Sequence, residues 1–356
     1  MMPSTSPLND LAASDFRRIP LTGWLAKGLV GKHLLLTGGT GFFGQWLLAL
    51  ADQLNRQGCR LEVTVCSRDP ARFLAVQPWY RECGWLHWLS SDVRELRQIP
   101  GSRPDFILHA AVDTSALAHA RSLELFETIT QGARQVLELA VRYEVERVLV
   151  TGSGAQYGAL SSDCAVREDY LGACQSNSAA SAYAEGKRVQ ETLAAMYGQI
   201  HGLAVVMTRC FAFSGPILPM DGHFAIGNFV REALESDAIC LSSDGSAVRS
   251  YLHGADLAVW LLKLLLDGTA GSVYNVGSDQ AISIADLARR VRDRIAPDKR
   301  VQLGSVPPGG GGGSFYVPDI SRARSLGLDV WTQLDDSIDA MAAWARLQSG
   351  AHGRGR

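Results

Sequence analysis

Tyr183 and Lys187 stand four residues apart in Tyr183-Ala184-Glu185-Gly186-Lys187. On a helix that spacing puts both side chains on one face. Earlier in the chain Thr151-Gly152-Ser153-Gly154 follows the apolar run Val148-Leu149-Val150. A phenol, an amine and a hydroxyl in these places suit one reaction: a base takes a hydroxyl proton while hydride leaves the same carbon. A free phenol has a pKa of about 10, too high for that task at neutral pH. Lowering it by about 3 units takes about 4 kcal/mol of preference for phenolate, and a cation about 4 Å away in an effective dielectric near 20 supplies about that much. Lys187 and an oxidised nicotinamide ring are therefore expected to activate Tyr183 between them. Ser153 would donate or relay a hydrogen bond at the reacting oxygen. A Tyr–Lys pair alone is as well read as a surface contact, so its surroundings decide the case.

The run His33–Thr37 leads into Gly38-Gly39-Thr40-Gly41-Phe42-Phe43-Gly44. Gly38 allows a tight turn off a strand, Gly41 lets a pyrophosphate approach the backbone, and Gly44 allows close packing of the helix that follows. That helix would present its N-terminus, opened by Phe42 and Phe43, to phosphate. A structural turn is the plainer reading of the glycines alone; a strand before and a helix after favour a dinucleotide site.

The elements that must carry these residues alternate. Strand candidates are 33–37, 61–66, 106–109, 147–151 and 203–208. Helical stretches between them include 43–57, 123–143 and 182–201. Such alternation predicts an α/β fold, a Rossmann-type doubly wound parallel sheet covered on both faces. After Arg209 loops lengthen and glycine rises, which predicts a smaller C-terminal α/β part that binds substrate. The expected division is 1–30 lead-in, 31–210 NAD(P)-binding domain, 211–348 substrate-binding part and 349–356 disordered tail. Leu8, Leu11, Phe16 and Ile19 of the lead-in are expected to pack on the core. Pro307-Pro308 and Gly309–Gly313 read as a flexible loop, and a last helix is expected over 335–348.

With 356 residues, 47% of them apolar, the chain can bury a large core. A net charge of -2 gives no reason to expect nucleic acid or a membrane surface as partner. The apolar run 259–266 is too short to span a bilayer. Seven scattered cysteines without a CxxC pair read as free thiols in a reducing compartment, and no metal site is expected. With no secretory signal visible, the expected location is cytoplasmic.

At this point the chain resembles the extended short-chain dehydrogenase/reductase family, in its NAD-dependent epimerase/dehydratase (nucleotide-sugar) branch, from Gly31 to about Trp344. The matches are Thr37–Gly44, Ser91-Asp92-Val93, His109-Ala110-Ala111, Thr151–Gly158, Tyr183–Lys187, Arg209–Pro216, Gly227-Asn228-Phe229, Arg249–Asp256 and Tyr274-Asn275-Val276-Gly277. The resemblance implies that Asp92 and Val93 lie against the adenine and that Ala110 and Ala111 line the cofactor near its ribose. Tyr183 and Lys187 would touch the cofactor too. Asn228 and Arg249 would hold the diphosphate of a nucleotide-diphosphate sugar, Arg249 through its planar fork. The plainer reading of Arg249 is a surface salt bridge, and that of Asp256 an N-cap. Relatives are commonly homodimers through two long helices, here 123–143 and 182–201.

Departures bear on the reaction. Relatives that dehydrate or decarboxylate nucleotide sugars carry a carboxylate in the segment Ser153–Gly158, where this chain has Gly154 and Ala155. Many relatives place an asparagine where Ala212 stands. An acidic residue after the second strand would select NAD, but the chain reads Val65-Cys66-Ser67-Arg68-Asp69. Ser67 and Arg68 suit a 2′-phosphate and favour NADP slightly over NAD; inward-turned Asp69, or Arg68 on the adenine, is the other reading.

The leading expectation is an NAD(P)-dependent epimerase or ketoreductase moving hydride at C4 of a nucleotide-diphosphate hexose. The alternative is a 4,6-dehydratase or decarboxylase that finds its acid elsewhere, at Glu168 or Glu185. A non-catalytic NADP-binding sensor or scaffold is a third reading, against which the intact Tyr–Lys pair speaks. A reductase of a non-sugar ketone is a fourth, against which Asn228 and Arg249 speak.

Overall fold

In strand β1 (His33–Thr37) every residue is buried, and its leucines divide between two cores. Leu34 and Leu36 face one hydrophobic cluster and Leu35 the other, the period-two alternation of a strand covered on both sides. The computed structural model describes residues 6–112, 116–160, 163–222, 224–305 and 314–353, apart from the side chains of 116, 118 and 350–353. After helices α1 (Pro7–Arg18) and α2 (Thr22–Gly28) come β1, α3 (Phe42–Arg56), β2 (Glu62–Ser67), α4 (Pro70–Val76) and β3 (Leu86–Ser90). There follow β4 (Phe106–His109), α5 (Ala116–Ala120), α6 (Ser122–Arg142), β5 (Arg147–Ser153), α7 (Ala182–His201), β6 (Val205–Cys210) and β7 (Ala212–Ser214). The remainder is α8 (Ala225–Glu235), β8 (Ala238–Cys240), β9 (Val248–Arg249), β10 (Tyr251–His253), α9 (Gly254–Asp267), β11 (Val273–Val276), β12 (Ile282–Ser283), α10 (Ile284–Ile295), β13 (Arg300–Gln302), β14 (Phe315–Tyr316), α11 (Ser321–Arg324) and α12 (Leu334–Gly353).

The main sheet has seven parallel strands in the order β11-β6-β5-β4-β1-β2-β3. The order reverses between β1 and β4, and an open α/β sheet binds its ligand in the crevice at that point. The expected Rossmann fold is therefore present. On one face α3 and α9 pack with α1 and α2; on the other, Val136 of α6 and Ala194 of α7 cover Leu35, Ile107 and Val148. Phe229 and Val230 of α8, Leu287 and Val291 of α10, and Ile338 and Met341 of α12 form a further core.

Four features differ from the sequence reading or add to it. Edge strand β3 was not expected; half-exposed, it lacks the continuous apolar run of its neighbours. The lead-in is helical: Ser6 caps α1 by accepting from the Leu8 backbone N–H at 3.2 Å, and Leu8, Phe16 and Ile19 are buried. Asp15 of α1 lies 3.3 Å from His253, whose other ring nitrogen is 2.9 Å from Ser337; Ser337 donates to Ser214 at 2.7 Å. Asp256 is not an N-cap: α9 begins two residues earlier, so its buried carboxylate accepts from the backbone N–H groups of Trp331 and Thr332 instead. Helix α12 runs past Gln348 to Gly353; the expected glycine loop falls within 306–313 and the end of the tail within 354–356, outside the described residues. All seven cysteines are free. Among the described residues no helix is long and apolar enough to cross a membrane, and no cluster of metal-ligating side chains occurs.

Candidate active site

Strand β5 ends at Ser153, which opens a tight 3-10 turn over Gly154–Tyr157. Ser153 Oγ accepts from the Ala155 N–H at 3.2 Å, while Gln156 Oε1 accepts from the Ser153 N–H at 2.8 Å. Gln156 in turn donates to Glu191, which pairs with Arg209 at 2.7 Å, and the Arg209 guanidinium sits 4.5 Å above the Tyr157 ring. A β-carbon on residue 152 would lie 2.2 Å from the Thr208 carbonyl oxygen, so glycine is required where β5 passes β6 into the turn.

Tyr183 lies in the first turn of α7, with Lys187 one turn on and fully buried. The structure brings Tyr183 near Ser153, whose hydroxyl favours the phenolate. Lys187 Nζ donates to the Thr151 carbonyl at 2.6 Å and to Gln190 Oε1 at 3.3 Å. Burial lowers its pKa to about 8. Buried His109, 2.8 Å from Thr37 Oγ1, is lowered to about 3 by burial and by the Lys187 charge. In the protein alone, burial raises the Tyr183 pKa to about 12, while the Ser153 hydroxyl pulls it down and neighbouring Cys210 pushes it up. Lys187 commits donors to the strand carbonyl, and desolvation outweighs the local help. The drop that a base requires is then left to a charge brought by a cofactor.

The phosphate loop is built as its glycines require. Gly38 has φ +77°, and a β-carbon there would meet the Ala110 carbonyl oxygen at 2.4 Å; one on Gly44 would lie 2.2 Å from Gly39 Cα. Thr37 Oγ1 accepts from the Ala110 and Ala111 N–H groups, both at 3.2 Å, tying the ends of β1 and β4 together. Gly41 is exposed, has nothing nearer than 3.6 Å where its β-carbon would be, and caps α3 without a side chain. The N–H groups of Phe42, Phe43 and Gly44 thus form an open donor set, which fits a dinucleotide pyrophosphate.

At the end of β2 the Ser67 carbonyl accepts from the Ser91 N–H at 3.0 Å, and Arg68 is exposed. Asp69 does not turn inward: it caps α4, accepting from the Arg72 N–H at 2.9 Å. Asp92 accepts from the Arg94 backbone at 2.8 Å and side chain at 2.9 Å; with help from Arg68 this holds its carboxyl below the usual range. Val93 is buried against Gly132 of α6.

Asn228 on α8 donates to the Gly222 carbonyl at 2.9 Å. Arg249 donates to the carbonyls of Val248 and Ser314, both at 2.8 Å, and lies 5.6 Å from the Tyr316 ring centre. Neither spare acid joins Tyr183. Glu168 accepts from the Asn275 N–H at 2.9 Å and faces Arg322, while Glu185 pairs with Arg188. Sequence reasoning missed Tyr316: its oxygen would be 2.5 Å from a β-carbon on Gly154, and its ring centre lies 4.6 Å from that of Phe211. It stands on a two-residue strand beside a glycine run, with no periodicity or motif to mark it.

With this geometry in hand, comparison with known proteins gives the class. The model of the NAD dependent epimerase/dehydratase family matches residues 34–277, and the chain belongs to that family of enzymes. UDP-glucuronic acid decarboxylase 6 of Arabidopsis thaliana is 28% identical over 89% of this chain and 90% of its own length. UDP-glucuronic acid decarboxylase 1 of Danio rerio is 28% identical over 95% of this chain and 78% of its own. Among solved structures, a UDP-glucose 4-epimerase from Thermotoga maritima matches with TM-score 0.76 and 20% identity over 89% and 99% of the two chains. DesIV, a dTDP-glucose 4,6-dehydratase from Streptomyces venezuelae with NAD bound, matches with TM-score 0.73 and 25% identity over 90% and 98%.

Proposed function

We propose that the chain moves hydride at C4 of a nucleotide-diphosphate hexose, as an epimerase or ketoreductase. One observation carries the reading: Tyr183 and buried Lys187 stand one turn apart on α7, with Ser153 at the end of β5 beside the phenol, while Glu168 and Glu185 are bound elsewhere. Tyr183 Oη takes or returns the proton of the C4 hydroxyl, and Ser153 Oγ holds the same oxygen. Lys187 keeps positive charge beneath the phenol and fixes β5 against α7. A bound nicotinamide supplies the hydride acceptor and, when oxidised, the cation that lowers the phenol. Residues 38–44 would cradle its pyrophosphate, Asp92 and Val93 its adenine, and Ala110 and Ala111 its ribose. Asn228 and Arg249 would hold the substrate diphosphate. Residues 31–210 would form the cofactor domain and 211–348 the substrate part.

Arg68 favours NADP: it is exposed at the end of β2, no acid occupies position 67, and Asp69 is committed to its cap. A homodimer through α6 and α7 is supported by exposed Leu123, Val189, Met196 and Ile200, and a cytoplasmic location remains part of this reading. The second reading is decarboxylation, favoured by the likeness to UDP-glucuronic acid decarboxylases. Oxidation at C4 would create a β-keto acid there, so the same base serves both. Purified protein with NAD or NADP and, in turn, UDP-glucose, dTDP-glucose and UDP-glucuronic acid, followed by NMR, separates them. A C4 epimer or C4 reduction supports the first reading. Loss of carbon dioxide from UDP-glucuronic acid establishes the second, and a 4-keto-6-deoxy product overturns both.

A further inference from the structure

Ser153 Oγ carries one proton and two lone pairs. The Ala155 N–H takes one lone pair at 3.2 Å, which leaves the proton and the second lone pair to meet a substrate oxygen and the phenol. How they point depends on the backbone beneath them. The Ser153 N–H donates to Gln156 Oε1 at 2.8 Å, and Gln156 Nε2 donates to Glu191 Oε2 at 2.8 Å. Glu191 stands on α7 one turn beyond Lys187. We propose that Gln156 is a positioning residue of the hydride-transfer site, its side-chain amide a strut that sets Ser153 Oγ against the helix carrying Tyr183. The inference rests on the reading of Ser153 and Tyr183 as the pair that acts on the C4 oxygen.

Helix α7 is tied to β5 at two rungs. Lys187 Nζ donates to the Thr151 carbonyl at 2.6 Å, which fixes the strand. The second rung, Glu191 through Gln156, ends on the reacting residue itself. Its outer end is anchored, because Arg209 donates to Glu191 through Nε at 3.0 Å and Nη2 at 2.7 Å. A carboxylate gripped by a planar fork cannot turn to follow a loose partner. The amide has only one way to lie: a backbone N–H at one end demands an oxygen, and a carboxylate at the other demands an N–H. Gln156 is 1% exposed and Ser153 6%, so water has little access to replace either bond. Gly152 makes the room, since a β-carbon there would lie 2.4 Å from Gln156 Oε1. The other charged groups beside the strut are Arg188, which donates to the Gln156 main-chain carbonyl at 3.2 Å, and its partner Glu185.

The test is Gln156→Met, which keeps the length of the side chain and loses both bonds. Activity is read with NAD or NADP and whichever of UDP-glucose, dTDP-glucose and UDP-glucuronic acid the parent turns over, at a temperature where every variant is folded. The kcat is expected to fall about 10–100-fold, the scale of a misplaced reacting group, with KM within about twofold. In a Ser153→Ala background the same substitution is expected to add less than about twofold, because the strut acts through Ser153 Oγ. A loss of stability alone moves neither ratio in folded protein. Gln156→Glu is the second variant, should Met hinder folding. Protonated, its carboxyl accepts from the Ser153 N–H and donates to Glu191 as the amide does; ionised, it meets Glu191 as a like charge. Its kcat relative to the parent is expected to approach one at low pH and to fall as the pH rises. Parent-like kcat in Gln156→Met overturns the proposal, as does a full-sized loss in the Ser153→Ala background or a Gln156→Glu ratio that climbs with pH. If Ser153→Ala itself keeps full turnover, the underlying reading fails instead, and the two failures are told apart.

Discussion

Replacing Lys187 by Met is expected to make the cofactor-free protein more stable while abolishing turnover. Lys187 is 2% exposed and its pKa falls from 10.5 to about 8 because burial penalises the ammonium. A shift of that size corresponds to about 3 kcal/mol of destabilisation while the group is charged. The substitution loses the hydrogen bonds to the Thr151 carbonyl and to buried Gln190 Oε1, about 1 kcal/mol each. The carbonyl does not become an orphan, because Gln190 Nε2 also donates to it at 3.0 Å. Met fills the space of the lysine stem without a charge, leaving a net gain of about 1 kcal/mol at pH 7. The folded pKa is the lower one, so the unfolded chain binds more protons between pH 8 and 10.5, and parent stability rises with pH through that window. The stability of the variant relative to the parent therefore falls by about 2 kcal/mol between pH 7 and 9.5. Urea denaturation of both proteins across that range reads the difference directly, since groups common to both cancel. A variant less stable than the parent at pH 7, or a gap that does not change with pH, refutes this account of the buried ammonium.

Tyr183→Phe is expected to cut kcat by about 10²–10⁴-fold and to leave cofactor affinity within about twofold; a loss below about tenfold removes Tyr183 as base. Arg249→Ala is expected to weaken nucleotide-sugar binding by about 10–150-fold, the range of one charge-assisted hydrogen bond, with cofactor binding unchanged in calorimetry. Arg68→Ala is expected to lower NADP affinity at least about tenfold and spare NAD; a parent that already binds NAD more tightly than NADP sinks that assignment.

Much of the cofactor side was legible because local rules control it. The glycine spacing, the apolar strand before it and the helix after it are short-range features, and the bounds expected for α7 agree with those found. What stayed hidden depends on tertiary contact. The pattern of Ser6, Pro7, Leu8, Ala12 and Phe16 carries a cap and a helical stripe, yet without a partner surface it read only as a polar lead-in. Asp256 looked like a cap until the true start of α9 made it the third residue of the helix. The upward pull of burial on the Tyr183 phenol stayed hidden too, because burial depends on contacts that no local pattern shows. Tyr316 reaches Gly154 across 162 positions through a two-residue strand, and no local signal foretells such a meeting.

The link from Asp15 through His253 and Ser337 to Ser214 bears on how the protein is made. Asp15 and His253 are 238 residues apart in sequence, and Ser337 lies 84 beyond His253. During vectorial synthesis the apolar stripe of α1 meets α3 early, Phe16 against Trp46, whereas the polar link of Asp15 waits for residues translated much later. Contacts of such long range slow folding. A message cut short before Ser337 yields a chain that holds every residue of the Tyr183 site yet lacks the last piece that fastens its beginning.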